Sequence, residues 1–301
     1  MPKAILFVNL KKENARIMAD EILRELGRRN IQADSFTFKE KADFSSDPGY
    51  DIAFSLGGDG TVLHVTRAMA PLGVPVFPVN LGTLGFIAAV RPEEWTEVFD
   101  LWLQGKVPLS RRLMLEARIK RGDTELFQSS CLNDIVISAS GIAKMIRLQV
   151  FSDSGESILK LGQYRSDGLI IATPTGSTAY SVAAGGPVLD PELEAVILNP
   201  ICPFTLFYRP IVLPARETLI VEVEANQKSG FLTVDGQVTA PLESGDRVFI
   251  SPSSRPGMLI ASDRTAFYHA LKTKFSWLET PGKALSTGSE SAPENDGVSH
   301  A

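Results

Sequence analysis

The sequence is poor in the groups that build metal centres and disulfide scaffolds: among 301 residues it has two cysteines, Cys131 and Cys202, and three histidines, His64, His269 and His300. Their spacing matches neither a zinc site nor a disulfide framework, and the expected home is a reducing cytoplasm. An excess of positive charge is also lacking. With 30 Lys and Arg against 35 Asp and Glu the net charge is -5, which argues against a general nucleic-acid binder but leaves room for a small phosphorylated ligand on a local cluster. No apolar run reaches the roughly 20 residues of a membrane span; the longest, AVILNPICPFTLFY from Ala195, is broken by Asn199, Pro200 and Pro203. The opening MPKAILFVNLKKENAR has too short an apolar stretch for a secretory leader. Two phosphate-binding signatures are absent: Gly105-Lys106 precedes Val107 and Gly282-Lys283 precedes Ala284, so there is no P-loop, and no G-x-G-x-x-G follows the first strand. A P-loop NTPase and an ordinary nicotinamide dehydrogenase both lose ground.

What is present is a globular composition long enough for two domains. The first hundred residues alternate strand and helix signals: AILFVNL, a helix from Glu13 to Arg29 with Ile17, Ile22, Leu23 and Leu26 at helical spacing, QADSFTF, DIAFSL, the helix TVLHVTRAMA, VPVFPVN, and a helix opened by Pro92. This order implies a parallel sheet with right-handed crossovers. Beyond about residue 106 come short strands separated by turn residues, the pattern of an antiparallel sandwich-like domain, interrupted by one helix around Ser177 to Ala184 and closed by another from Thr265 to Trp277. We therefore expect a Rossmann-like α/β domain over 1–105, completed by the helix 265–278, a β-rich domain over 106–260, and a disordered tail over 280–301, which is too polar to order itself.

Five segments could carry chemistry. FSLGGDGT (54–61) lies where a parallel strand turns into a helix, the edge at which α/β sheets bind ligands and helix N-termini face phosphates. Glycine lets a backbone approach an anion closely. Asp59 beside a phosphate makes sense if it faces a cation or a hydroxyl to be phosphorylated; the alternative is a turn whose Asp caps the helix. PVNLGTLGF follows the next strand and supplies a second wall, with Phe86 either stacking on a base or buried in the core. Asn133-Asp134 opens the apolar run IVIS and suits a ribose diol, or else forms a turn. YRSDGLIIATPTGSTAYSVAAGGP (164–187) crowds hydroxyls and small residues ahead of a helix, as a polar ligand requires. Asp235-Gly236-Gln237 reads as a hairpin turn, with Gln237 able to reach a ligand.

In this order GGDGT (57–61), NLGTLGF (80–86), LND (132–134), the segment from Arg165 and DGQ (235–237) resemble the NAD kinases (ATP-NAD kinases), up to about Thr280. GGDGT alone is shared with diacylglycerol and sphingosine kinases and with phosphofructokinases. The resemblance implies an α/β N-terminal domain, a β-rich NAD-binding C-terminal domain, and phosphoryl transfer from ATP or another donor to the 2′-hydroxyl of the adenosine ribose of NAD. It further implies a divalent cation, Mg²⁺, accompanying the nucleotide, and a homo-oligomer. Carried over to this chain, Asp59 matches the proton acceptor, with Gly60 and His64 beside it, and Asn133 and Asp134 match the ribose pair, Asp134 standing where many members have Glu. Lys144, Arg165 and Asp167 fall at dinucleotide contacts. Thr178, Ala179, Tyr180, Ser181, Val182 and Ala183 align with a Thr-Ala-Tyr-x-x-Ser segment whose last hydroxyl is missing here. Gln237 matches a late ligand contact. Competing readings are a lipid or sugar kinase sharing GGDGT and a dinucleotide sensor without catalysis.

Overall fold

The computed structural model describes residues 2–39, 44, 49–83, 85–141, 144–205, 207–225 and 229–275. The tail expected over 280–301, residues 276–278 of the expected last helix and Leu84 of the second Gly-rich turn lie outside the described residues.

Strand β1 (Lys3–Asn9) has five consecutive buried residues, the mark of a central strand covered on both faces. Helix α1 (Ala15–Arg28) buries Ala15, Met18, Ala19, Ile22 and Leu26, one stripe at helical period. Met18 and Ala19 hold the inner face there, and Ile17, expected inside, is 66% exposed. Next come β2 (Gln32–Phe38), β3 (Ile52–Gly57), α2 (Asp59–Met69), β4 (Val76–Asn80), α3 (Trp95–Leu103) and β5 (Leu109–Arg112). Helix α3 starts three residues after Pro92, because Pro92 to Glu94 form a turn of their own.

The β-rich part runs through β6 (Leu115–Arg121), β7 (Thr124–Cys131), β8 (Asp134–Ala139), β9 (Ile146–Asp153), β10 (Ile158–Ser166) and β11 (Gly168–Ala172). After α4 (Tyr180–Ala183) it continues with β12 (Ala195–Ile201), β13 (Ile211–Pro214), β14 (Thr218–Val223), β15 (Gly230–Val234), β16 (Val238–Leu242), β17 (Arg247–Pro252) and β18 (Gly257–Ile260), ahead of α5 (Arg264–Phe275). The helix expected over 177–184 is only a 3-10 turn (Thr175–Thr178) followed by one α turn. Ser177 Oγ donates to the Pro174 carbonyl at 2.7 Å, and such side-chain bonds compete with helix propagation.

The described residues form three six-stranded sheets. The first has the order β2-β1-β3-β4-β18-β5, parallel except for β5. Two of its strands, β5 and β18, come from the segment read as β-rich. The other sheets, β10-β9-β14-β17-β6-β7 and β13-β12-β11-β8-β15-β16, are antiparallel and enclose a shared core in which Leu148, Val150 and Val221 meet Ile135, Leu169 and Leu232. The α/β plus sandwich-like architecture is thus the one expected. Gly57 at the end of β3 is paired with Asn80 at the end of β4, so the two Gly-rich turns lie side by side at one sheet edge.

Candidate active site

Asp59 is the first residue of α2, and its carboxylate is held by the neighbouring Gly-rich turn. The Phe86 amide donates to Oδ2 at 2.9 Å, and the Ile87 and Ala88 amides donate to Oδ1 at 3.3 and 2.9 Å. The turn is itself pinned: Asn80 Nδ2 donates to the Thr83 and Ala88 carbonyls, and Ser262 Oγ, beyond β18, donates to the Ile87 carbonyl at 2.8 Å. A Cβ at Gly85 would overlap the Asp59 carboxylate, so glycine there lets the carboxylate reach the turn. Of the roughly four acceptor positions of a carboxylate, three are filled, and among the described residues no donor occupies the fourth, on Oδ2.

Two cavities flank α2 and the start of β8. The first, about 360 Å³, opens on the β3-to-α2 turn and is lined by Asn9, Lys11, Lys12, Lys39, Gly58 and Gly60, with His64 and Gln237 at its wall. Asn9 braces it, donating from Nδ2 to Thr61 Oγ1 at 3.0 Å while Oδ1 accepts the Lys11 amide. The His64 ring packs near Phe7 and Phe38. Among the described residues no carboxylate pairs with Lys11, Lys12 or Lys39, so three lysines line a cavity that opens at the start of α2. Gly58 takes φ -102°, a value open to any residue, and a Cβ there would touch no protein atom.

The second cavity, about 540 Å³, gathers Asn133, Asp134, Asp167, Ala179 and Tyr180 with Thr233. Asp134 is 5% exposed, and among the described residues no donor reaches its carboxylate. Burial first, and the Asp235 charge second, push it up to about 7. Asp235 is a residue the sequence reading treated as a turn. Its fully buried carboxylate accepts the amides of Leu132 at 3.1 Å, Asn133 at 2.7 Å and Asp134 at 3.3 Å, and pairs with Arg67 Nη1 at 2.9 Å. Burial raises its pKa while Arg67 and the amides oppose the rise.

The other expected residues are more scattered. Gln237 lines the first cavity with its amide already engaged: Oε1 accepts from Arg67 Nη2 at 2.7 Å and Nε2 donates to the Gly60 carbonyl at 2.7 Å. Phe86 packs near Phe267 and Phe275 on α5, with Lys274 Nζ over its ring at 4.7 Å. Arg165 lies on β10 with its guanidinium 4.5 Å from the Phe204 ring centroid, and exposed Lys144 rests against Gly141. Ser181 is buried, and its hydroxyl and carbonyl both accept from Asn199 Nδ2. Thr178 Oγ1 donates to the Thr175 carbonyl; half-buried Val182 and exposed Ala183 complete the one-turn helix. Among the described residues no cluster of three or more His, Cys, Asp or Glu groups could cage a metal ion. Arg67, Asp235 and the lysines carry no local motif of a binding site, although Lys11-Lys12 lie just past the end of β1 at the same sheet edge as GGDGT, which is a signal the topology contains.

Comparison with known proteins gives a consistent result. The ATP-NAD kinase N-terminal domain family matches residues 5–107 and the ATP-NAD kinase C-terminal domain family matches residues 132–262. The chain is 41% identical over 281 residues to an NAD kinase of Treponema denticola, covering 92% of this chain and 97% of that protein. It is 36% identical over 282 residues to one of Moorella thermoacetica, covering 91% and 89%. Among solved structures, an NAD kinase from Archaeoglobus fulgidus in complex with ATP superposes with a TM-score of 0.68 at 26% identity, covering 89% of this chain and 96% of that one. Yeast NADH kinase complexed with NADH shares the fold, with a TM-score of 0.80 at 23% identity, covering 93% and 89%.

Proposed function

The chain belongs to the ATP-NAD kinase family and phosphorylates NAD to NADP with ATP, and we propose that it does so with NAD in the cavity of Asn133 and Asp134 and the donor triphosphate in the lysine-ringed cavity at the β3-to-α2 turn. The observation that carries this reading is the contrast between the cavities. One opens at a helix N-terminus and is lined by lysines that pair with no carboxylate among the described residues, fit for phosphates; the other presents a buried carboxylate that no donor reaches among the described residues, fit for ribose hydroxyls. The empty space above Gly58 belongs to the ligand, since no protein atom demands a glycine there.

The transition state of phosphoryl transfer is loose, so the chain mainly positions the two substrates and screens charge. Asp59 offers its remaining acceptor position to the 2′-hydroxyl of the adenosine ribose, aligns it, and takes its proton as the bond to phosphorus forms. Lys11, Lys12 and Lys39, with the amides at the start of α2, hold the phosphates; His64 and Gly60 shape the wall. Asn133, Asp134, Asp167, Ala179 and Tyr180 hold the dinucleotide, with Lys144, Arg165, Thr178, Ser181, Val182 and Ala183 around them. Mg²⁺ would arrive as part of the ATP substrate, bound through the phosphates.

The proposed division is an α/β domain over 1–105 with the C-terminal helix and a β-rich domain over 106–260, whose end strands β5 and β18 cross over to complete the α/β sheet. The exposed Phe204, Phe207, Ile211 and Val212, at and before the edge strand β13, are offered for homo-oligomerisation. Two free cysteines suit the cytoplasm. The test is incubation with ATP, Mg²⁺ and NAD while NADP is followed through a coupled dehydrogenase. NADP formation is expected; tight NAD binding without product would indicate a sensor, and phosphorylation of a lipid a different kinase.

A further inference from the structure

We propose that Arg67 is a positioning residue that sets the register between the two halves of the site, a role resting on the kinase reading above. It lies two turns along the helix that begins at Asp59, and its side chain is 14% exposed. Its guanidinium faces the β15-to-β16 turn and donates to two acceptors at once, Asp235 Oδ2 and Gln237 Oε1. Each acceptor leads to one half of the site. Asp235, held at a positive φ of 51°, gathers the amides of Leu132, Asn133 and Asp134 and so fixes the chain as it enters β8. Gln237 returns from its Nε2 to the Gly60 carbonyl, one residue from Asp59. Arg67 is therefore the common member of a closed circuit through Gln237 and Gly60 and of a branch to the Asn133-Asp134 strand start.

The choice of arginine follows from this geometry. A planar guanidinium presents several N–H groups in a fixed fork and serves two acceptors in different directions, whereas a lysine ammonium is a single point charge on a flexible stem. Lysine would keep the charge beside the buried Asp235 while loosening the link to Gln237. Misplacement of about 1 Å between reacting groups costs on the order of 100-fold in rate. Loosening this circuit therefore lowers turnover, while each substrate keeps its own contacts and its affinity.

The experiment compares wild type, Arg67→Lys, Gln237→Ala and the double variant in kcat, in the Kd for NAD measured without ATP, in Tm and in amide exchange at Asn133 and Asp134. Each single variant is expected to lose roughly 10- to 100-fold in kcat with NAD Kd within about threefold, and the double variant to be no slower than the worse single one. Exchange at Asn133 and Asp134 should quicken in Arg67→Lys, a readout that needs no activity. Gln237→Ala alters a half-buried side chain and keeps the test open if Arg67→Lys does not fold. Near-normal kcat in the folded variants overturns the proposal, as does a weakened NAD Kd with kcat intact, which would make Gln237 a direct ligand contact. Unchanged exchange overturns it even if wild type forms no NADP; absence of NADP from wild type counts against the kinase reading instead.

Discussion

Asp59 and Gly85 stand so close that a Cβ on Gly85 would lie 1.9 Å from Asp59 Oδ1. The obstructing atoms are the end of a side chain, so Gly85→Ala is relieved by swinging the carboxylate away from the Phe86, Ile87 and Ala88 amides. We expect the variant to fold, with Tm lowered by a few degrees, and to lose about 100-fold in kcat. Parallel measurements of kcat and thermal unfolding check this; wild-type turnover would mean that Asp59 does not depend on the turn for its position.

Asp59→Asn replaces a group that accepts on both oxygens with one that accepts on only one. At least one of the three amides loses its partner, at a cost of about 1–3 kcal/mol in stability. The lost proton acceptor lowers kcat by roughly 10²- to 10⁴-fold while NAD still binds. Calorimetric NAD titration beside the coupled assay separates the effects, and near-normal turnover would remove Asp59 from the chemistry.

The pH dependence turns on Asp134. Its ordinary carboxyl value is 3.8 and burial pushes it up to about 7, so between those values the folded chain holds a proton that the unfolded chain has released. The stabilising contribution is complete below about pH 4 and is lost as pH rises toward 7. Asp134→Asn removes the effect, and denaturant unfolding should find it more stable than wild type at pH 8. With the proposed ribose contact to the Asp134 carboxylate, NAD affinity should tighten as pH rises through 7 in wild type and stay flat in Asp134→Asn. A parallel pH profile in the variant would take Asp134 out of ribose binding.

Replacing Lys11, Lys12 and Lys39 together by Gln should raise the KM for ATP at least about tenfold and flatten its dependence on ionic strength, with NAD affinity unchanged. Initial rates at low and high salt measure both. An effect on NAD with none on ATP would exchange the proposed occupants of the two cavities.

Much of this was legible in the sequence because the signals are local. GGDGT lies at the end of a strand whose apolar run is unmistakable, and Asn133-Asp134 opens the strand that the run IVIS required. Asp235 was not legible: its partners are Arg67 and residues 132–134, far away in sequence, and locally Asp-Gly says only that a turn is present. Phe86 was ambiguous until α5 brought Phe267 and Phe275 beside it. The helix expected over 177–184 was overestimated because the hydroxyls that suggested a polar site also bond back to nearby carbonyls.

The interleaving of the first sheet bears on the order of events during synthesis. β18 lies between β4 and β5, so the sheet begun at Lys3 is closed only by Ile260. A ribosome that has released the first hundred residues has released a β4 strand whose outer edge is covered by Val90 at Pro78–Asn80 but open at Val76, and that end must wait for the whole sandwich to emerge before Leu259 covers it. At about 5–20 residues per second that interval is on the order of 10 s or more. Premature termination anywhere before Gly257 would leave the β4 edge available to other chains, so truncated products should aggregate rather than persist as a folded amino-terminal domain.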